Sequence, residues 1–258
     1  MSTMSSAREE LWIRRFHASK RDGFRLVCFP HAGGSASFFF PLSKALSPAL
    51  DVVAMQYPGR QDRRLEKGID NIRDLADDAF EALKPQLDCP VALFGHSMGA
   101  ILAFEVARRI ERETDAKVVG LFASGRRAPS RYRDENVHLR DDEGIVAELK
   151  LMSGTDAALL GDDEVLRMIL PAIRSDYTAI ENYRCEPGAT VTCPITVLVG
   201  DSDPRTSLEE AAAWNNHTTG PFELRTFPGG HFFLAHHQAE IISLIRERSI
   251  PAVGGKPR

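Results

Sequence analysis

Cysteine is scarce in this chain and spaced without pattern. Cys28, Cys89, Cys185 and Cys193, four among 258 residues, make neither the disulfide framework of a small secreted domain nor a close zinc-type pair. They are expected as reduced, mostly buried thiols, with no metal and no dissociable cofactor. No run of 18 apolar residues occurs, so no ordinary membrane-spanning helix is expected. Residues 1–8 lack the apolar stretch of a secretory signal. Charge of one sign is wanting too. The 32 Lys and Arg against 36 Asp and Glu leave a net −4, which gives no footing for nucleic acid or an anionic membrane. Internal repeats and interdomain linkers are missing. What remains is 43% hydrophobic and 26% charged, enough for a sizeable core. A single domain over 1–258, soluble, cytoplasmic and monomeric, is expected.

What is present is alternation. Apolar runs at 24–29, 51–57, 90–94, 118–123, 195–200 and 222–227 read as strands, with a short edge strand within 11–16. Amphipathic stretches follow them, starting near Ser37 and covering 72–87, the residues after Ser97, 207–215 and 235–248. In the second of these, Leu75, Ala79, Leu83 and Leu87 recur at four-residue spacing. Wholly apolar runs such as 118–123 suit strands covered on both faces. Strands and helices in this rhythm predict an α/β fold, a mostly parallel central sheet with helices on both faces. The rhythm stops between 124 and 193. Two helices are predicted there, 142–152 and about 163–183, the second aligning Ile169, Ile173, Tyr177 and Ile180 and bent at Pro171. An insertion over about 126–190, at the sheet edge where ligands bind, reads as a helical lid. The plainer alternative is a pair of packing helices. The charged surface of the insertion predicts modest packing on the sheet and mobility over 137–183.

The chemistry centres on Gly95–His96–Ser97–Met98–Gly99. The pentapeptide alone is a weak signal, and a serine N-cap after a glycine turn would satisfy it. A strand before it and a long helix after it are what a nucleophile elbow requires. A serine hydroxyl needs a base to take its proton and a carboxylate to orient that base. Three of the eight histidines, His31, His96 and His231, lie in strand-exit loops. His96 sits inside the elbow and would point past Ser97, while His31 belongs to a Gly-rich loop ahead of it. His231, after the last strand and beside Gly229–Gly230, is the candidate base. The acid is Asp201 or Asp203, which spacing alone cannot separate. The order Ser…Asp…His, each after a strand of one sheet, is that of the α/β-hydrolases. The Gly-rich loop at Pro30–Gly34 lacks the following Gly-Lys-Ser/Thr of a phosphate loop. Its place is that of an oxyanion loop, with the backbone N–H groups of Ala32 and Met98 as donors.

Four segments together resemble a known family. They are Phe29–Pro30–His31–Ala32–Gly33–Gly34, Tyr57–Pro58–Gly59–Arg60, the elbow itself, and Pro228–Gly229–Gly230–His231–Phe232–Phe233. In this order, over about residues 11–248, they look like the type II thioesterases, stand-alone enzymes that accompany modular polyketide and nonribosomal peptide synthetases. The resemblance implies an α/β-hydrolase that removes stalled or wrongly primed acyl groups from the phosphopantetheine thiol of acyl or peptidyl carrier domains. Through the family's Gly-x-x-Asp it implies Asp203 as the acid, and it supports Ala32 and Met98 as oxyanion donors. The triad would cleave an oxyester equally well, so a carboxylesterase, a product-releasing thioesterase and a weakly catalytic receptor are the competing readings.

One charged cluster completes the inventory. Arg126, Arg127, Arg131 and Arg133 follow the strand at 118–123, on the side of the sheet expected to carry Ser97. Carrier domains, which the resemblance implies are acidic around their prosthetic group, would be steered by such a rim. The alternative is a solvated loop whose arginines pair with nearby acids.

Overall fold

A computed structural model describes residues 10–19, 24–152 and 162–249. In chain order the elements are β1 (Ile13–Arg14), β2 (Arg25–Phe29), α1 (Phe40–Leu46), β3 (Asp51–Met55), α2 (Ile72–Leu83), β4 (Val91–His96) and α3 (Met98–Glu113). There follow β5 (Val118–Ser124), α4 (Asp142–Met152), α5 (Asp163–Asn182), β6 (Ile195–Gly200), α6 (Leu208–Ala212), β7 (Phe222–Phe227) and α7 (Gln238–Ser249). The seven strands form one sheet in the order β1-β3-β2-β4-β5-β6-β7. Only the β1–β3 pair is antiparallel, and all other pairs are parallel.

The inner parallel strands β2 to β6 are mostly apolar because helices cover both faces of the sheet there, whereas the edge strand β7 carries exposed polar residues such as Arg225 and Thr226. In β2 the side chains of Val27 and Phe29 join α2 and α3 on one face. Leu26 and Cys28 join α1 and α7 on the other. This is the two-residue alternation of a strand, with neither face left to water. A buried side chain such as Phe29 contributes about 1.5–3 kcal/mol to each layer. Helix α2 starts where Asn71 accepts the N–H groups of Arg73 and Asp74, and it buries Leu75, Ala79 and Leu83.

The expected helix over 72–87 leaves α geometry at Leu83. Pro85, which has no N–H to give, sits in a 3₁₀ turn over Lys84–Gln86. Similar turns at Ala36–Phe39 and Phe233–Ala235 delay α1 and α7 relative to the sequence pattern. The edge strand shrinks to two residues. Cys28 and Cys193 are buried free thiols, and Cys89 and Cys185 are partly exposed.

Between β5 and β6 the described residues hold no strand, and α4 and α5 lie where the pattern puts them. Val137, Ile145, Leu149, Leu170 and Ile173 give the insertion its own small core. Helix α5 continues through Pro171. Its charged residues are used differently from the expected solvated surface. Both oxygens of the buried Glu181 carboxylate accept backbone N–H groups, those of Val137 and His138. Arg205, two residues beyond Asp203, pairs with Glu135 at 2.8 Å and with Glu148 of α4. The insertion is therefore joined to the sheet's loops by ion pairs as well as by apolar packing.

Candidate active site

The elbow forms because β4 and α3 approach too closely for ordinary side chains. A Cβ on Gly95 would stand 2.0 Å from the Gly99 carbonyl oxygen, and one on Gly99 would stand 2.0 Å from that of Phe29. Between them Ser97 takes φ 54° and ψ −119°, a strained conformation for a residue with a Cβ. Its N–H donates to the Ser124 carbonyl at 2.8 Å, pinning the turn to the neighbouring strand. Ser97 is partly exposed while its neighbours His96 and Met98 are buried. As the residue before α3, it faces helix N–H groups that lack intrahelical partners.

At the ends of β6 and β7 the structure separates the two aspartates. His231 Nδ1 donates to Asp203 Oδ2 at 2.9 Å, and both side chains are buried. The second Asp203 oxygen accepts the Arg205 N–H at 2.8 Å. Asp201 points elsewhere and is exposed. It accepts from the Gly229 N–H and from Ser202 Oγ, which hold its carboxyl below the usual carboxylate range. Asp201 thus braces the turn that carries His231.

Burial disfavours the charged form of the other two strand-exit histidines, His31 and His96. His96 is wholly buried, its Nδ1 3.1 Å from Ser124 Oγ. Burial, with the His231 ring beside it, pushes its pKa well down. Gly125, at φ +59°, makes room for that ring, since a Cβ there would lie 2.6 Å from His96 Cε1. His31 packs edge-on against Phe38 and Phe232, and burial lowers its pKa to about 3.

The loop bearing Ala32 is fixed from an unexpected quarter. Asp176, on the inward face of α5, accepts the Gly33 N–H at 2.7 Å. The same carboxylate forms a two-pronged pair with Arg60, at 2.7 and 2.9 Å, and Arg60 donates to the Gly34 carbonyl at 2.9 Å. Tyr57 Oη donates to the Pro30 carbonyl. The segment Tyr57–Arg60 is thereby a brace for the Pro30–Gly34 loop. The signal for Asp176 was a carboxylate within the apolar stripe of Ile173 and Ile180, which needs a buried partner.

The arginine cluster does not form the expected rim. Arg127 is buried against Glu135 at 2.7 Å, and Arg133 lies against Glu210 at 2.5 Å. Arg126 is partly exposed but its Nε is covered, and burial beside Arg127 lowers its pKa to about 9. Only Arg131 is fully exposed among the four. The docking expectation is corrected for Arg127 and Arg133, whose charges face carboxylates of this same chain.

Comparison with known proteins gives the family. A thioesterase-domain family model matches residues 24–248. Thioesterase PikA5 of Streptomyces venezuelae is 48% identical over 245 residues, covering 95% of this chain and 87% of that protein. A probable cadicidin biosynthesis thioesterase of Streptomyces griseus is 56% identical over 226 residues, which is 88% of this chain and 62% of its relative's length. Among solved structures, the type II thioesterase BorB from the borrelidin biosynthetic cluster superposes with a TM-score of 0.88. It is 50% identical, with 93% of this chain and 98% of BorB covered. The chain belongs to the thioesterase family, on the type II branch found with polyketide and nonribosomal peptide synthetases.

Proposed function

We propose that Ser97, His231 and Asp203 form a catalytic triad that hydrolyses acyl groups from the phosphopantetheine thiol of carrier domains. Stalled or wrongly primed units on a modular synthase would be the substrates. The observation that carries the reading is the buried 2.9 Å contact between His231 Nδ1 and Asp203 Oδ2, in the same C-terminal edge as the strained Ser97.

With Nδ1–H donated to Asp203, His231 is held in the tautomer whose Nε2 is free to accept a proton. Ser97 Oγ attacks the thioester carbonyl while His231 takes the hydroxyl proton. The oxyanion that forms is met by the N–H groups of Ala32 and Met98. Collapse breaks the carbon–sulfur bond, and the pantetheine thiol leaves with the proton from His231. Water, deprotonated by the same His231, attacks the acyl-serine, and the acid departs with Ser97 restored. A buried Asp203 stabilises the imidazolium in each half-reaction. The helices α4 and α5, tied to the loops of Asp203 and Ala32, act as the lid over the acyl group.

Parallel rates on an acyl-carrier thioester and on a p-nitrophenyl ester of the same acyl group test the assignment. A kcat/KM clearly higher on the carrier thioester supports it. A preference for the oxyester with little turnover of the carrier substrate would make the protein a carboxylesterase.

A further inference from the structure

Most arginines around the catalytic edge face carboxylates of the same chain. Arg60, Arg127, Arg133, Arg174 and Arg205 all make such pairs. Three cations on one flank of the insertion do not. Arg64 and Lys67, in the loop after β3, and Arg167, in the first half of α5, are exposed and make no ion pair among the described residues. They ring a groove of about 630 Å³ between that loop and α5. On the same rim Leu65 is 91% exposed and Met168 57% exposed. Of the groove's carboxylates, Glu66 is held by Arg63, which leaves Asp70 as the opposing charge.

The groove lies close to the chemistry. Its wall includes Gly59 and Ala172, next in sequence to Arg60 and Ile173. Arg60 and Asp176 reach the oxyanion loop at Gly33 and Gly34, and a Cβ on Gly33 would touch Ile173. Within the groove, Gly68 sits so near α5 that a Cβ there would be 2.5 Å from Ser175 Oγ. That hydroxyl is covered and has no hydrogen-bond partner.

Cations that face no carboxylate among the described residues, beside two exposed apolar side chains, suit a partner that brings carboxylates around an apolar contact. The geometry points to this groove as the surface on which the acidic face of a carrier domain docks, an inference that rests on the thioesterase function proposed above. Arg64, Lys67 and Arg167 steer and orient the carrier, and Leu65 and Met168 supply the contact that excludes water. In the loop 126–133, by contrast, Arg127 and Arg133 are already paired with carboxylates of this chain, and that loop is not the docking surface.

The test compares two substrates bearing one acyl group, a carrier-bound thioester and the short acyl-pantetheine thioester. For the Arg64→Glu/Lys67→Glu variant, kcat/KM on the carrier substrate is expected to fall about tenfold or more at low salt, with the deficit shrinking at high salt. On acyl-pantetheine the variant should stay within about twofold of wild type, since that substrate has no protein surface to steer. A Leu65→Ser/Met168→Ser variant should lose carrier turnover with little salt dependence. Wild-type carrier turnover by the charge variant overturns the proposal, and so do equal losses on both substrates. So does a selective loss of carrier turnover in Arg131→Glu with none in the groove variants. A wild-type enzyme inert on both thioesters would overturn the thioesterase function itself, and the docking surface with it.

Discussion

Asp201 and Asp203 stand two residues apart and meet different groups, so substitution should separate them. Asp203→Asn keeps the size of the side chain but lets an amide favour the wrong His231 tautomer. A fall in kcat of about three to four orders of magnitude is expected. Asp201→Asn disturbs an exposed turn contact to Gly229 and should leave kcat within about an order of magnitude. The reverse ranking would assign Asp201 as the acid. Steady-state kinetics on one thioester decides. Spacing alone left the two aspartates open, because both follow β6 in the same turn. Their burial and partners are tertiary facts. Ser97 and His231 stand out as candidates because Gly95, Gly99, Gly229 and Gly230 mark tight turns in the sequence itself. Asp176 does not, since its meaning depends on Arg60, 116 positions away.

At the scale of elements, α5 is more than a cover. Its Asp176 satisfies the buried Arg60 guanidinium and the partly buried Gly33 N–H with one carboxylate. Asp176→Ala would strand the Arg60 charge in the interior, a change that costs about 3–5 kcal/mol. For a chain of this size a drop in Tm of about 6–9 °C is expected. A Tm within about 2 °C of wild type would show that the pair contributes little. The inner strands were readable as elements because burial on both faces leaves them mostly apolar. Helix ends were less readable. Pro85 and the turns before α1 and α7 exchange α for 3₁₀ geometry without altering the apolar pattern. The partners of Glu148 and Glu181 were not readable in sequence, because Arg205 and the backbone N–H groups of Val137 and His138 are brought to them only by the fold.

For the whole molecule, the buried His96 and the half-buried His31 set a stability profile. In the unfolded chain His31 and His96 titrate near the ordinary value, while in the fold both resist protonation, His31 down to about 3. The unfolded state therefore binds more protons below about pH 6.5, and stability falls as the pH drops from there towards 3. His31 alone should cost ~2 kcal/mol at pH 5 relative to neutral pH. Urea unfolding at pH 7 and pH 5 reads this directly, and equal midpoints would mean the rings are protonated in the fold. The catalytic account itself rests on Ser97, raised by the elbow to the edge where His231 and Asp203 meet. Its most direct measurement is the intact mass of an acyl-loaded carrier protein incubated with wild type and with Ser97→Ala. Wild type should return the carrier to its free-thiol mass while the variant leaves the acyl group in place. An acyl group removed equally by the Ser97→Ala protein, or untouched by wild type, would contradict it.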